Sequence, residues 1–163
     1  MLVSGVSDTI TELCRLSELG GHVCIAFDDF SEAIKAYGRE PQRFDLIVLD
    51  SAEADRTDGM AVLKKLREID SAGAIVLMID AGCSEAVVTA VNEGVYGILW
   101  KPLDTNGFLK ALARREDELE LQQKSRDEQG ALVKEYIKLK REFGEVQVLL
   151  RKYEALLDKS NAN

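Results

Sequence analysis

The chain has 163 residues, with 21 Lys+Arg against 29 Asp+Glu, giving a formal net charge of −8. A hydrophobic share of 46% beside 31% charged residues is that of a globular chain able to build a core, and its length fits one domain plus about 50 to 60 residues. No apolar run approaches the ~20 residues a bilayer requires, and MLVSGVSD opens with neither a basic start nor a long apolar stretch, so a cytoplasmic protein without membrane contact is expected.

Residues 1–103 hold 9 Lys+Arg and 17 Asp+Glu, whereas residues 104–163 hold 12 of each, so all the excess acid lies in the first part. Neither part clusters positive charge, which disfavours direct nucleic-acid binding.

In chain order, short apolar runs alternate with amphipathic stretches, the pattern of a parallel sheet covered by helices. Met1 to Val6 is the first strand, followed by a helix marked by Ile10, Leu13 and Leu16, with Thr9-x-x-Glu12 as a capping box. Gly20-Gly21 ends that helix. His22 to Phe27 is the second strand, and a short helix runs from about Ser31 through Tyr37 until Gly38 stops it. Phe44 to Leu49 reads as a central strand apolar on both faces, with Asp50 immediately past its end. A helix carrying Met60, Leu63, Leu66 and Ile69 follows, then strand Ala74 to Ile79, then a helix around Val87, Val88 and Val91 closed by Gly94. Tyr96 to Trp100 is the fifth strand, with Lys101-Pro102 directly after it. Cys14, Cys24 and Cys83 form an odd, widely spaced set among apolar residues, and His22 is the sole histidine. Buried thiols are expected, not a disulfide frame or a zinc site.

Open parallel sheets place functional groups beyond the carboxyl ends of their strands, where a carboxylate at Asp50 and an ammonium at Lys101 can meet. A solvated strand-end ion pair is the plain structural alternative. FDLIVLD ending at Asp50, Asp58-Gly59 before MAVLKKLREID, and EGVYGILWKPLD around Lys101 resemble the receiver domains of two-component response regulators, over about residues 1–124. The resemblance implies a doubly wound five-stranded α/β fold, CheY-like, of strand order 2-1-3-4-5. It also implies a phosphoacceptor at Asp50, a phosphoryl-contacting lysine at Lys101 and a Lys101-Pro102 bond that is usually cis in the family.

The departures matter equally. The family's acidic pair, which holds Mg²⁺ with the phosphoacceptor, falls on Gly5 and Val6, neither of which binds a metal. Ser7 and Asp8 lie out of register to replace it, and Asp80 is expected to add repulsion near Asp50 rather than to compensate in part. The switch hydroxyl falls on Ile79 and the switch aromatic on Ile98. The usual proline four residues after the aspartate is Ala54, and the glycine comes at nine as Gly59. A degenerate receiver is expected, with no metal, and Mg²⁺ as a cofactor only if a conventional receiver is at work.

From Thr105 onward there is no proline, and Glu, Lys, Leu, Gln and Arg favour continuous helix, about 80 Å long if unbroken to Asp158. Leu132, Tyr136, Leu139, Phe143, Val146, Leu150, Tyr153 and Leu157 follow at steps of 4, 3, 4, 3, 4, 3 and 4, a heptad seam. The expected domains are residues 1–124 and a coiled-coil dimerisation helix over 125–163, with a hinge near Gly130 where Ser125-x-x-Glu128 would cap a new helix. A parallel homodimer sets Glu135 at g against Lys140 at e of the partner chain. Packing on the chain's own receiver, a hairpin folded at Gly130, or a four-helix assembly widened by Leu149, Leu156 and Val133 are alternatives.

Three functions stand side by side: a receiver relaying a signal through a coiled-coil dimer with Asp50 phosphorylation absent or inefficient; a conventional phosphoacceptor with unusual metal ligation; and a structural dimerisation or scaffold module. A histidine kinase and an output domain are the implied partners. Turnover of a small molecule has little support, because no general base, nucleophile and phosphate-cradling glycine loop converge.

Overall fold

A computed structural model of the chain describes residues 2–3, 7–50 and 56–161, and the side chains of residues 9–50 and 59–154. In order these form β1 (Leu2–Val3), α1 (Ser7–Leu19), β2 (Ala26–Phe27), α2 (Phe30–Arg39), a single 3₁₀ turn (Pro41–Arg43), β3 (Ile47–Asp50), α3 (Arg56–Ile69), β4 (Ile75–Asp80), α4 (Ser84–Asn92), β5 (Gly97–Lys101) and α5 (Thr105–Asn161). The strands pair in parallel in the order β2-β1-β3-β4-β5.

Alternation along β3 and β4 explains their unbroken apolar sequence. Ile47, Leu49, Ile75, Leu77 and Ile79 bury into one layer with Ala33 and Tyr37 of α2, Leu63 and Leu66 of α3, and Ala90 of α4. Val48, Val76, Met78 and Leu99 bury on the other face with Leu13 and Leu16 of α1 and Phe108 of α5. The apolar side chains of β3 and β4 are therefore buried in the helix-covered layers on both faces of the sheet, and each such burial contributes roughly 1.5–3 kcal/mol.

Several boundaries depart from the sequence reading. α1 begins at Ser7, so Thr9 lies inside the helix; the Glu12 carboxylate accepts 2.8 and 2.7 Å hydrogen bonds from Arg15 instead of reaching back as a capping box. Gly38 does not stop α2, which runs to Arg39 and ends where Pro41 opens the 3₁₀ turn. Its start is held by Asp29, whose carboxylate accepts from the amides of Ser31 (2.6 Å) and Glu32 (3.1 Å). Those amides, led by that of Glu32, hold the Asp29 carboxyl below its ordinary range. The strand expected over His22 to Phe27 shortens to Ala26–Phe27. The expectation of three free thiols also fails: Cys14 and Cys24 form a disulfide with Cα atoms 5.2 Å apart, and Cys83 alone is free among the described residues. The physical reason is the Gly20-Gly21 turn, where Gly21 takes φ 82° and the His22 amide donates to Ser17 O at 2.9 Å, folding the following segment back against α1. Asp50 is the last residue of β3 and not the first beyond it.

Two side chains lock this domain in ways that spacing does not announce. The Arg67 guanidinium donates to the carbonyls of Glu93 (3.0 Å), Gly94 (2.6 Å), Ser71 (3.1 Å) and Gly73 (2.6 Å), tying α3 to the loops that precede β4 and β5. The buried Tyr37 hydroxyl donates to Asp70 Oδ2 at 3.0 Å, and a Cβ at Gly73 would collide with it. Burial first, and the Asp70 hydrogen bond second, push the Tyr37 phenol up to about 12. The folded state therefore keeps its phenolic proton more tightly than the unfolded chain. The resulting stability is complete below pH ~10 and is lost as pH rises from ~10 towards ~12. Thermal melts at pH 9 and pH 11 should show a steeper alkaline loss for the native chain than for Tyr37→Phe; equal slopes would contradict the assignment.

Helix α5 is one element of 57 residues that includes Gly130, so the alternative of a hairpin folded there is not what forms. One glycine costs a helix about 1 kcal/mol, too little to interrupt a run flanked by good helix formers. By compactness the chain divides into Met1–Asp117 and Glu118–Asn163. In the second unit Leu132, Tyr136, Leu139, Phe143, Val146, Leu150 and Tyr153 are each more than half exposed in the single chain. The side chain of Leu157 lies outside the described residues. No helix among the described residues is long and apolar enough to cross a membrane.

Candidate functional site

Asp50 ends β3 and Lys101 ends β5, with β4 between them. The register sets Asp50 opposite Met78 and Asp80 opposite Lys101, so β5 reaches the level from which its lysine can cross β4. Lys101 Nζ forms an ion pair with Asp50 Oδ1; the lysine side chain keeps 16% of its exposure and the aspartate none. Burying either charge alone would be expensive, and contact between them offsets much of that penalty. The Lys101-Pro102 peptide bond that follows is cis.

The surroundings of the pair are aliphatic. Ile79, 1% exposed, sits in the layer that β4 shares with α2, α3 and α4, and Ile98 packs against the same layer. No hydroxyl or phenol stands at either place. Asp80, the last residue of β4, is exposed. Gly59 is buried within α3, and Asp58 belongs to its first turn, with a side chain outside the described set. Gly5 and Val6 lie outside the described residues. Of the residues singled out in the sequence, the fold thus joins Asp50 and Lys101 directly and brings Ile79 and Ile98 into one apolar layer. Among the described residues no three His, Cys, Asp or Glu side chains gather as a metal-holding set.

Sequence reasoning misses the groups that fasten the start of α5 to the amino-terminal edge of the sheet. Arg115 donates to Asp45 O at 2.8 Å. Arg114 donates to the Tyr96 carbonyl and stacks over its ring at 3.8 Å, while His22 Nε2 lies 3.5 Å from Glu116 Oε1. Their partners lie at sequence distances with no helical or strand period, so only the adjacent Arg114-Arg115 pair offered a signal.

Comparison with known proteins places this geometry. A family model described as the response regulator receiver domain matches residues 5–113. The transcriptional regulatory protein GlrR of Escherichia coli K12 is 24% identical over 108 residues, 66% of this chain and 23% of that protein. The chain therefore spans about a quarter of that curated relative. Among solved structures, NtrX from Brucella abortus in complex with ATP superposes with a TM-score of 0.65 at 21% identity, over 77% of this chain and 28% of that one. A CheY-like receiver domain protein from Methanospirillum hungatei JF-1 gives a TM-score of 0.65 at 17% identity, over 74% of this chain and 94% of that one. At these identities the solved structures establish the shared fold.

Proposed function

The chain belongs to the response regulator receiver domain family of two-component signalling, and from that premise we propose that it is a degenerate receiver that transmits its signal through a coiled-coil homodimer. The observation that carries the proposal is the environment of Asp50: its carboxylate faces the Lys101 ammonium, and the two positions that would answer a phosphoryl group are the aliphatic Ile79 and Ile98. Phosphoryl transfer asks for a cation to neutralise developing charge, and Mg²⁺ asks for a near-octahedral set of hard oxygens. Gly5 and Val6, in the places of the family's acidic pair, bring no carboxylate. The Asp50 carboxylate is paired with the Lys101 ammonium. With Gly5 and Val6 in those places, the residues do not fit Mg²⁺.

Dimerisation rests on the seam of the second unit. With Tyr136, Phe143 and Leu150 at a, and Leu132, Leu139, Val146 and Tyr153 at d, two parallel copies bury side chains that one chain leaves more than half exposed. Glu135 at g then faces Lys140 at e of the second copy, which sets orientation more than it adds stability. The domains proposed are a receiver over 1–124 and a dimerisation helix over 125–163. A histidine kinase or an output domain is the partner class that family membership supports. Retention of both Asp50 and Lys101 supports the second reading, a conventional phosphoacceptor.

Size-exclusion light scattering separates the two. A mass twice that of one chain, unchanged by Asp50→Asn or by acetyl phosphate, is expected. A monomer that dimerises only on phosphorylation would overturn the proposal.

A further inference from the structure

We propose that Cys14 and Cys24 form a reversible thiol–disulfide site, open to low-molecular-weight disulfides of the glutathione class, that sets how the corner between α1 and β2 is held against α5. The two cysteines are ten residues apart and bonded to each other. Both are partly buried, packed against the layer that contains Leu13, Leu16 and Phe108, so α1, the corner and the start of α5 meet around them.

The corner has little else to hold it. Among the described residues, 22–25 after the Gly20-Gly21 turn join no strand, and β2 pairs with β1 at Leu2↔Ala26 and Val3↔Phe27. The bridge at Cys24 thus stands where sheet hydrogen bonds would otherwise begin. Two residues earlier on the same segment, His22 reaches Glu116 of α5. A Cβ at Gly20 would lie 3.0 Å from His22 Cδ2, so the ring folds over a glycine that leaves room for it. Closing the bridge fixes the segment that carries His22; opening it leaves that segment to the Gly20-Gly21 turn, the Glu116 contact and, among the described residues, the ladder pairs at Ala26 and Phe27. The chemistry balances without a metal. Two protein thiols pass two electrons to one glutathione disulfide through a mixed disulfide, forming one Cys14–Cys24 bond and two glutathione thiols, and the reverse exchange reopens it.

The test uses the full chain carrying Cys83→Ala, which removes the free thiol and leaves the pair untouched. It is equilibrated with graded mixtures of reduced and oxidised glutathione, quenched with iodoacetamide and weighed intact. A passage from two alkylated cysteines to none within the series is expected, with amide exchange over residues 22–27 slower by about tenfold in the bridged form. Comparing two redox states of one polypeptide removes dependence on a cysteine variant that fails to fold. Two alkylated cysteines throughout the series, no alkylation even in fully reduced glutathione, or equal exchange in both forms would each overturn the proposal.

Discussion

Replacing Lys101 by methionine destabilises the folded domain by about 3 kcal/mol, because the Asp50 carboxylate then stays buried without its ammonium. The two ends of the pair are unequal. Asp50 is 1% exposed and fixed by β3, whereas Lys101 retains access to water and can turn its ammonium outward. Asp50→Ala should therefore cost only about 1 kcal/mol, and Asp50→Ala combined with Lys101→Met clearly less than the sum of the singles. Urea melts of the four chains close a double-mutant cycle. Additive losses would show that the contact contributes nothing to stability.

Leu139→Ala weakens self-association by about 10³-fold. A buried leucine truncated to alanine costs at least about 2 kcal/mol, and a symmetric dimer loses it twice, so about 4 kcal/mol is removed from the association free energy. Leu139 is 58% exposed in the single chain, which makes the change nearly silent for the fold of the receiver. Lys138→Ala, one position away and outside the seam, should leave the dimer intact. Dilution series by light scattering distinguish the two variants. Equal dissociation in both would mean that the apolar stripe is covered by something other than a second copy.

The contrast between what the sequence discloses and what it hides follows from how each element is stabilised. β3 and β4 are readable because helices cover both faces, so nearly every residue from Ile47 to Leu49 and from Ile75 to Ile79 must be apolar. The meeting of Asp50 and Lys101 is readable for a related reason: charges excluded from those layers collect at strand ends. β2 is not readable, since a two-residue edge strand is set by the turn and bridge around it, and the apolar run also covers residues 22–25, which join no strand among the described residues. The start of α2 did carry a signal, Asp29 followed by Glu32 at capping spacing, which the apolar pattern beginning two residues later obscures. The Cys14–Cys24 bond leaves no trace in an odd cysteine count; it depends on a reversal at Gly20-Gly21 that only the three-dimensional path supplies. Arg67 is equally hidden, because two of its four carbonyl partners lie 26 and 27 residues away, across α4. Gly130 carries a weak signal, because a single glycine among good helix formers is accommodated within α5.

The most direct measurement is the intact mass of the chain after incubation with acetyl phosphate and Mg²⁺, with Asp50→Asn run in parallel. The degenerate-receiver account predicts an unchanged mass in both samples. A phosphoryl adduct present in the native chain and absent from Asp50→Asn would contradict it and establish a working phosphoacceptor with ligands other than the family's acidic pair.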